Sequence, residues 1–251
     1  HKKAGAPPLG LLTVAAMLPA QWKVRLVDLN VGSLSQKELA EADYVFVSAM
    51  TVQRDSAHAV ILRCKEAGVK VVAGGPLFTM EQDQFPEVDH LVLNEAEVTL
   101  PLFLRDLANG CAQRVYATTE FPEMRSTPMP LWRLADLRHY SSVSIQFSRG
   151  CPFRCDFCNV TALLGHLPRT KTAAQIVAEL DGLYALGWRK GVFFVDDNFI
   201  GNKKLLKAEV LPALDILDQV TLWHSTATIG GEERPLPITL ASLGLALIYL
   251  T

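Results

Sequence analysis

The chain has 251 residues, of which 49% are hydrophobic and 20% are charged, and its formal net charge is −2. This composition is that of a globular protein and excludes a disordered one. A near-neutral charge without a Lys/Arg cluster argues against nucleic acid as a partner. No run reaches the roughly 18 apolar residues that a membrane span needs, and residues 1–10 lack the apolar core of a signal peptide. We therefore expect a soluble cytoplasmic protein without a transmembrane segment.

In chain order, the first half alternates helical patterns with short apolar runs typical of buried parallel strands. The predicted helices are 11–18, 56–67 and 99–107, and the predicted strands are 23–29, 44–47, 70–73 and 90–93. Strands separated by helices indicate parallel βαβ units. The predicted fold class is therefore α/β, beginning with a doubly wound parallel sheet.

Residues 112–142 interrupt this alternation with three prolines among polar residues, which is typical of a connector between domains. The pattern then restarts, and the predicted elements are a strand at 143–147, a helix capped by Thr172 and Gln175, a strand at 192–195 and a helix at 205–217 kinked at Pro212. Beyond Gln219 the pattern is hard to read, although the apolar tail 238–251 is typical of a core segment. The expected domains are residues 1–118, a linker at 119–142, and residues 143–251.

Three of the five cysteines lie within eight positions, at Cys151, Cys155 and Cys158. Cysteine thiolates hold iron–sulfur clusters, and three ligands for four irons leave one iron open to a small molecule. A zinc site that includes His166 is an alternative, because Cys155 and Cys158 have the spacing of a zinc knuckle. No second cysteine pair accompanies them, however. Three buried structural cysteines are a further alternative.

Other candidate site residues follow predicted strands, because ligands of open parallel sheets bind outside the carboxyl ends of strands. In the first half these loops are 48–50, 74–76 and 94–97, and the paired glycines of the second would let a flat ligand approach the backbone. An ordinary glycine turn is the alternative. In the second half the loop is 196–198, Asp-Asp-Asn, which offers acceptors for an ammonium group. Its alternative role is to form a turn and cap a helix.

The spacing C-x-x-x-C-x-x-C, with an aromatic residue before the last cysteine, resembles the signature of the radical S-adenosylmethionine enzymes. The resemblance implies that a [4Fe–4S] cluster is bound, that S-adenosylmethionine occupies the open iron, and that a partial (β/α) barrel surrounds them. The implied cluster ligands are Cys151, Cys155 and Cys158, and the implied S-adenosylmethionine contacts are Phe157, Asp196, Asp197 and Asn198. The usual glycine-glycine-glutamate sequence of the family is replaced here by those last three residues.

Residues 7–12, 24–28 and 74–76 resemble the cobalamin-binding domain found in one large branch of that family. Residues 144–151 and 194–202 are most similar to the subgroup that includes the hopanoid C-2 methylase. The implied cobalamin contacts are Ser48, Gly74, Gly75 and Glu95. Compared with the family, an opening strand and most barrel units are not present, so we expect a chain truncated at both ends.

The resemblance implies cobalamin-dependent methyl transfer to an unactivated carbon. The implied partners are a small-molecule or lipid substrate and an external electron donor. Two alternatives stay open at this point: radical S-adenosylmethionine chemistry without methyl transfer, and an inactive fragment that binds a cluster or zinc.

Overall fold

The computed structural model describes residues 4–156, 158–215, 226–229, 232–235 and 246–250. The helices are α1 (Leu9–Met17), α2 (Gln36–Ala40), α3 (Arg54–Glu66), α4 (Pro76–Glu81), α5 (Ala96–Ala108), α6 (Val160–Leu164), α7 (Ala173–Ala185), α8 (Lys203–Leu205) and α9 (Leu211–Asp215). The strands are β1 (Val24–Asp28), β2 (Tyr44–Ser48), β3 (Lys70–Gly74), β4 (His90–Val92), β5 (Val115–Tyr116), β6 (Val143–Ile145), β7 (Ser148–Arg149), β8 (Arg169–Thr170), β9 (Val192–Phe194), β10 (Thr226–Ile229), β11 (Glu232–Pro235) and β12 (Ala246–Leu250). Within these ranges, no helix combines the length and the apolar character that crossing a bilayer requires.

The first sheet has the strand order β1-β12-β2-β3-β4-β5. Strands β2 to β5 are parallel to one another, and the register pairs Ser48 with Gly74 and Gly74 with Val92. The carboxyl ends of β2, β3 and β4 therefore lie side by side at one edge of the sheet. Strand β12 pairs antiparallel with both β1 and β2. It comes from the span 143–251 that the sequence assigned to the second domain.

Helices cover both faces of this sheet, because alternate side chains of the central strands enter two different cores. One face packs against α3 and α4 and presents the following buried residues: Val45, Val47, Val71, Ala73, Leu91 and Leu93. The other face packs against α1 and α5 through Phe46, Val72 and Val92. Strands buried on both faces read as continuous apolar runs, which is why the sequence pattern predicts them. The predicted doubly wound sheet is thus confirmed, with β2 to β5 as its parallel part.

The second domain begins with β6, which pairs in parallel with β9, as in the first units of a (β/α) barrel. Its core joins β6 to α7 through Val143, Ile145, Ile176 and Leu183, all buried. The predicted capping box is present: Thr172 Oγ1 accepts from the N–H of Gln175, and Gln175 Oε1 accepts from the N–H of Thr172. The predicted helix therefore begins where its cap places it.

The sequence predicts one helix at 205–217, whereas the structure has three consecutive helical segments between Lys203 and Asp215. A π-helical segment, Leu206–Val210, separates α8 from α9. Pro212 is the second residue of α9, which continues the helical chain directly after this segment. The helix is thus interrupted by a π-helical segment just before Pro212, and the predicted kink at that proline stays a prediction. Helices α2 and α4 are not predicted from the sequence, because helices of five and six residues are too short to show a clear helical periodicity.

We expect Gly74→Ala to destabilise the first sheet. A Cβ at this position would lie 2.5 Å from the carbonyl oxygen of Val92 on the neighbouring strand, so the strands would have to shift. The free energy of unfolding in urea should fall by roughly 1–3 kcal/mol. The control is Gly10→Ala in α1, where no atom lies within 4 Å of the new methyl group. It should raise stability by roughly 0.5–1 kcal/mol, and an unchanged Gly74→Ala midpoint would contradict the close approach.

Candidate functional site

The carboxyl edge of the first sheet brings three of the predicted cobalamin contacts together. Ser48 and Gly74 are register partners, and Gly75 follows directly as the residue before α4. A Cβ on Gly75 would lie 2.5 Å from Ser48 Oγ, so the hydroxyl group occupies the space beside this glycine. Bare backbone and one hydroxyl group thus form the surface here. That surface suits a flat ligand that approaches the main chain, and the predicted contacts at these three residues stay a prediction.

The fourth predicted cobalamin contact, Glu95, has a different environment. Its carboxylate is 4% exposed and pairs with two arginines of the second domain, Arg149 at 2.7 Å and Arg169 at 2.6 Å. Glu97, two residues later and within the first turn of α5, also pairs with Arg149 and accepts from Thr127 Oγ1 at 2.7 Å. The carboxylate of Glu95 therefore joins the two domains, and its predicted role toward cobalamin stays a prediction.

The cysteine loop lies between two short strands of the second domain, β7 before it and β8 after it. These strands pair antiparallel, with Arg149 opposite Arg169. Gly150 has φ +91°, and a Cβ there would lie 2.6 Å from the carbonyl oxygen of Leu167, so only glycine fits at this turn. The N–H of the next residue, Cys151, donates to the carbonyl oxygen of Gly165 at 3.1 Å. The base of the loop is therefore closed by backbone contacts.

All three cysteines of this loop are free thiols, with Cys151 half-buried and both Cys155 and Cys158 exposed. Among the residues that the structure describes, no three His, Cys, Asp or Glu side chains lie close enough together to hold a metal ion. His166, the fourth ligand of the alternative zinc site, is exposed. Three accessible thiols on one short loop are a suitable donor set for a cluster, and metal binding commonly completes such a site.

The Asp-Asp-Asn segment after β9 lies against the start of the cysteine loop. Asp196 accepts from the N–H of Phe147 at 3.2 Å, from Ser148 Oγ at 2.6 Å, and from the N–H of Ser148. Asn198 Nδ2 lies 3.6 Å from Cys151 Sγ and donates to it. Because β6 and β9 are parallel, their carboxyl ends meet, and this segment and the loop form one site.

These contacts assign different tasks to the three consecutive residues. Asp196 holds the chain between β6 and the cysteine loop, so its carboxylate is already in use. Helix capping falls instead to Asn202, whose side chain accepts from the N–H of Leu205. The capping part of the alternative is therefore wrong, whereas its turn is present, with the N–H of Gly201 donating to the carbonyl oxygen of Asn198 at 2.9 Å. The predicted S-adenosylmethionine contacts at Asp196, Asp197 and Asn198 stay predictions, and Phe157 lies outside the described residues.

Burial governs the protonation of the two aspartates. It raises the pKa of Asp196 to about 6, although hydrogen bonds from Ser148 and Phe147 act to lower it. Burial also raises the pKa of Asp197, against the opposing effects of its own N–H and of Arg149. For Glu97, burial is outweighed by Arg149 and by hydrogen bonds, among them that of Thr127, so its pKa is lowered. The pKa values of the two aspartates are therefore raised, whereas that of Glu97 is lowered.

Comparison with known proteins identifies the first domain and the relatives of the whole chain. Residues 3–104 match the family model of the B12 binding domain. An uncharacterised methyltransferase of Synechocystis sp. is 43% identical over 250 residues, which are 98% of this chain and 44% of the relative. The hopanoid C-2 methylase of Rhodopseudomonas palustris is 38% identical over 222 residues, 87% of this chain and 41% of the relative. The chain thus spans less than half the length of both curated relatives.

Among solved structures, the cobalamin-dependent S-adenosylmethionine radical enzyme OxsB, with aqua-cobalamin and S-adenosylmethionine bound, matches with a TM-score of 0.58 and 19% identity. The match covers 75% of this chain and 31% of that one, and at this identity it concerns the fold. The chain therefore contains a B12-binding domain at residues 3–104 and shares the fold of OxsB over 75% of its length. Its relatives include the hopanoid C-2 methylase, so the resemblance and the fold class predicted from the motifs are confirmed.

We expect the pKa of Asp196 to be visible in the pH dependence of stability. Its folded-state pKa of about 6 lies above its ordinary value of 3.8, so the folded state binds this proton more tightly. The stabilisation is complete below about pH 4 and is lost as the pH rises through about 6. The unfolding free energy of the wild type, minus that of Asp196→Asn, should fall by about 2 kcal/mol between pH 4 and 7.

The control for this measurement is Glu97→Gln. Because the pKa of Glu97 is lowered, the corresponding difference should grow as the pH rises from acid. Urea unfolding of the wild type and the two variants at four pH values shows whether the two stability differences change with pH in opposite directions. A flat difference for Asp196→Asn would show that this carboxyl group titrates normally.

Proposed function

We propose that this chain is the cofactor-binding part of a cobalamin-dependent radical S-adenosylmethionine methyltransferase. The observation that carries the proposal is the adjacency of two loops. Glu95, at the carboxyl edge of the B12-binding sheet, contacts Arg149, which stands two residues before Cys151. The edge where a B12-binding domain takes its ligand and the loop that bears the three thiols therefore meet. The names of the two curated relatives, both methylating enzymes, support the same activity.

In this proposal, Cys151, Cys155 and Cys158 hold the [4Fe–4S] cluster, and their three thiols leave its fourth iron for S-adenosylmethionine. When bound, the cluster delivers the electron that cleaves S-adenosylmethionine to a radical, and cobalamin carries the methyl group. Asn198 orients the first thiol through its hydrogen bond to Cys151 Sγ. Asp197 is the carboxylate of the segment available for the ammonium group of S-adenosylmethionine, because Asp196 holds the chain at Ser148.

Cobalamin would lie on the edge formed by Ser48, Gly74 and Gly75. An external donor supplies the electron, and the substrate is a small molecule or a lipid with an unactivated carbon. A polycyclic lipid is the substrate class that the hopanoid C-2 methylase suggests. The full reaction also needs whatever completes the barrel, since the chain covers less than half of that relative.

The cluster assignment predicts that anaerobic reconstitution gives a brown protein with about four irons per chain. Cys155→Ala should lose the colour and most of the iron, because one of three ligands is removed. Cys111→Ala is the matched control, since its thiol is equally exposed but lies outside the loop. Metal analysis decides the matter: a colourless protein with one zinc per chain would favour the zinc alternative.

The cobalamin assignment predicts that the chain retains hydroxocobalamin in equilibrium dialysis. Ser48→Ala should weaken binding about fivefold, because a hydrogen-bonding hydroxyl group at the edge is lost. Ser56→Ala, an exposed serine on α3, should leave the affinity unchanged. If the cluster assembles but the wild type retains no cobalamin, radical chemistry without methyl transfer replaces the methyltransferase proposal.

A further inference from the structure

Four charged side chains form a buried network at the boundary between the two domains. Their side chains are between 4% and 14% exposed and belong to Glu95, Glu97, Arg149 and Arg169. Arg169 contacts Glu95 with both terminal nitrogens, at 2.6 and 3.0 Å, and Arg149 Nη1 bridges Glu95 and Glu97 at 2.7 and 2.8 Å. Two positive and two negative charges make the network neutral.

The two arginines are cross-strand partners at the base of the cysteine loop. Arg149 on β7 lies directly opposite Arg169 on β8. Like charges in this position repel each other and destabilise a strand pair, and here the ladder is only two residues long. Glu95 lies against both guanidinium groups, so its carboxylate offsets the repulsion. The ladder that closes the loop therefore depends on a residue of the other domain.

Neutral contacts anchor the same side chains within the second domain and the linker. Arg169 donates to the carbonyl oxygens of Pro122 at 2.5 Å and Leu164 at 2.8 Å, and Arg149 Nε donates to Gln146 Oε1 at 2.9 Å. On the other side, the backbone before Glu95 is fixed by Asn94. Its N–H donates to Thr79 Oγ1, and its Oδ1 accepts from the N–H of Thr118.

We propose that Glu95 and Glu97 are positioning residues for the cysteine loop, closing its base and fixing it against the cobalamin edge by pairing with Arg149 and Arg169. This inference rests on the proposed function for what the loop and the edge bind. It goes beyond that function because it makes the first domain a structural part of the cluster site. Loss of either carboxylate should loosen the loop while the first sheet stays folded.

The test is hydrogen–deuterium exchange of the cofactor-free chain with Glu95→Gln. We expect amides in residues 148–170 to exchange at least about tenfold faster, since removing one partner leaves buried charge uncompensated. Amides of β2 and β3 should keep their protection, because they belong to the core of the first domain and not to the cysteine loop. The matched control is Glu81→Gln, which removes an ion pair to Arg54 within the first domain and should leave residues 148–170 unchanged.

A milder variant covers the case in which Glu95→Gln does not fold. Glu97→Gln removes one contact of Arg149 and keeps an acceptor for Thr127, so a smaller increase confined to the same segment is expected. Arg149→Lys should behave similarly, because a lysine keeps the charge but lacks the Nε–H that donates to Gln146 Oε1. Exchange that rises equally in both domains, or not at all, would overturn the inference.

A second readout concerns the reconstituted cluster. Iron should leave Glu95→Gln about tenfold faster than the wild type in the presence of a chelator, while Glu81→Gln should match the wild type. Since the exchange experiment uses no cofactor, it tests the inference even if the chain binds no cobalamin. A wild type that binds both cofactors, with unchanged exchange and iron release in Glu95→Gln, would reject the inference and leave the proposed function intact.

Discussion

The pairing of Glu95 with Arg149 and Arg169 is the interaction on which the arrangement of the two domains depends. A buried guanidinium group without a carboxylate is costly, so neither arginine is stable in its place unless the first sheet lies against the loop base. Buried ion pairs of this kind often add little net stability compared with apolar packing. They do impose geometry, because the planar donors of arginine meet carboxylate oxygens in few orientations. The contact therefore fixes where the cysteine loop sits relative to the B12-binding sheet.

Parallel strand order explains why the candidate groups meet at all. In both halves of the chain the candidate site residues lie at the carboxyl ends of strands: Ser48 is the last residue of β2, and Asp196 lies two residues after β9. Parallel neighbours place these ends at one edge, so residues distant in sequence become neighbours in space. The network joins the edge of the first sheet to the edge of the second. A further buried contact joins the linker to the first sheet: Tyr140 Oη donates to Asp28 Oδ2 at 2.9 Å, at the end of β1.

The sequence predicts the elements whose signal is local. Strands β2 and β3 are apolar runs buried on both faces, and the capping box at Thr172 specifies where α7 begins. The candidate residues at strand ends also lie where the pattern places them. The partners of those residues could not be predicted, because Glu95 and Arg149 are 54 residues apart and Asp196 and Ser148 are 48 apart. A charge in a loop does not indicate which distant charge will neutralise it. For the same reason, the sequence does not show that Asp196 accepts hydrogen bonds from the backbone of Phe147 and Ser148 while Asp197 does not.

The cysteine loop is fixed at its base and open at its tip, and this asymmetry follows from its contacts. Cys151 adjoins Gly150, whose turn is closed by the carbonyl groups of 164–167, and its sulfur accepts a hydrogen bond from Asn198. Cys155 and Cys158 lie further along the loop and are exposed. Hydrogen bonds to ligand sulfurs stabilise their negative charge and shift the reduction potential of a cluster. The three thiols would therefore be inequivalent ligands. A hydrogen bond from the protein orients Cys151, whereas Cys155 and Cys158 would take up their positions only when a cluster binds.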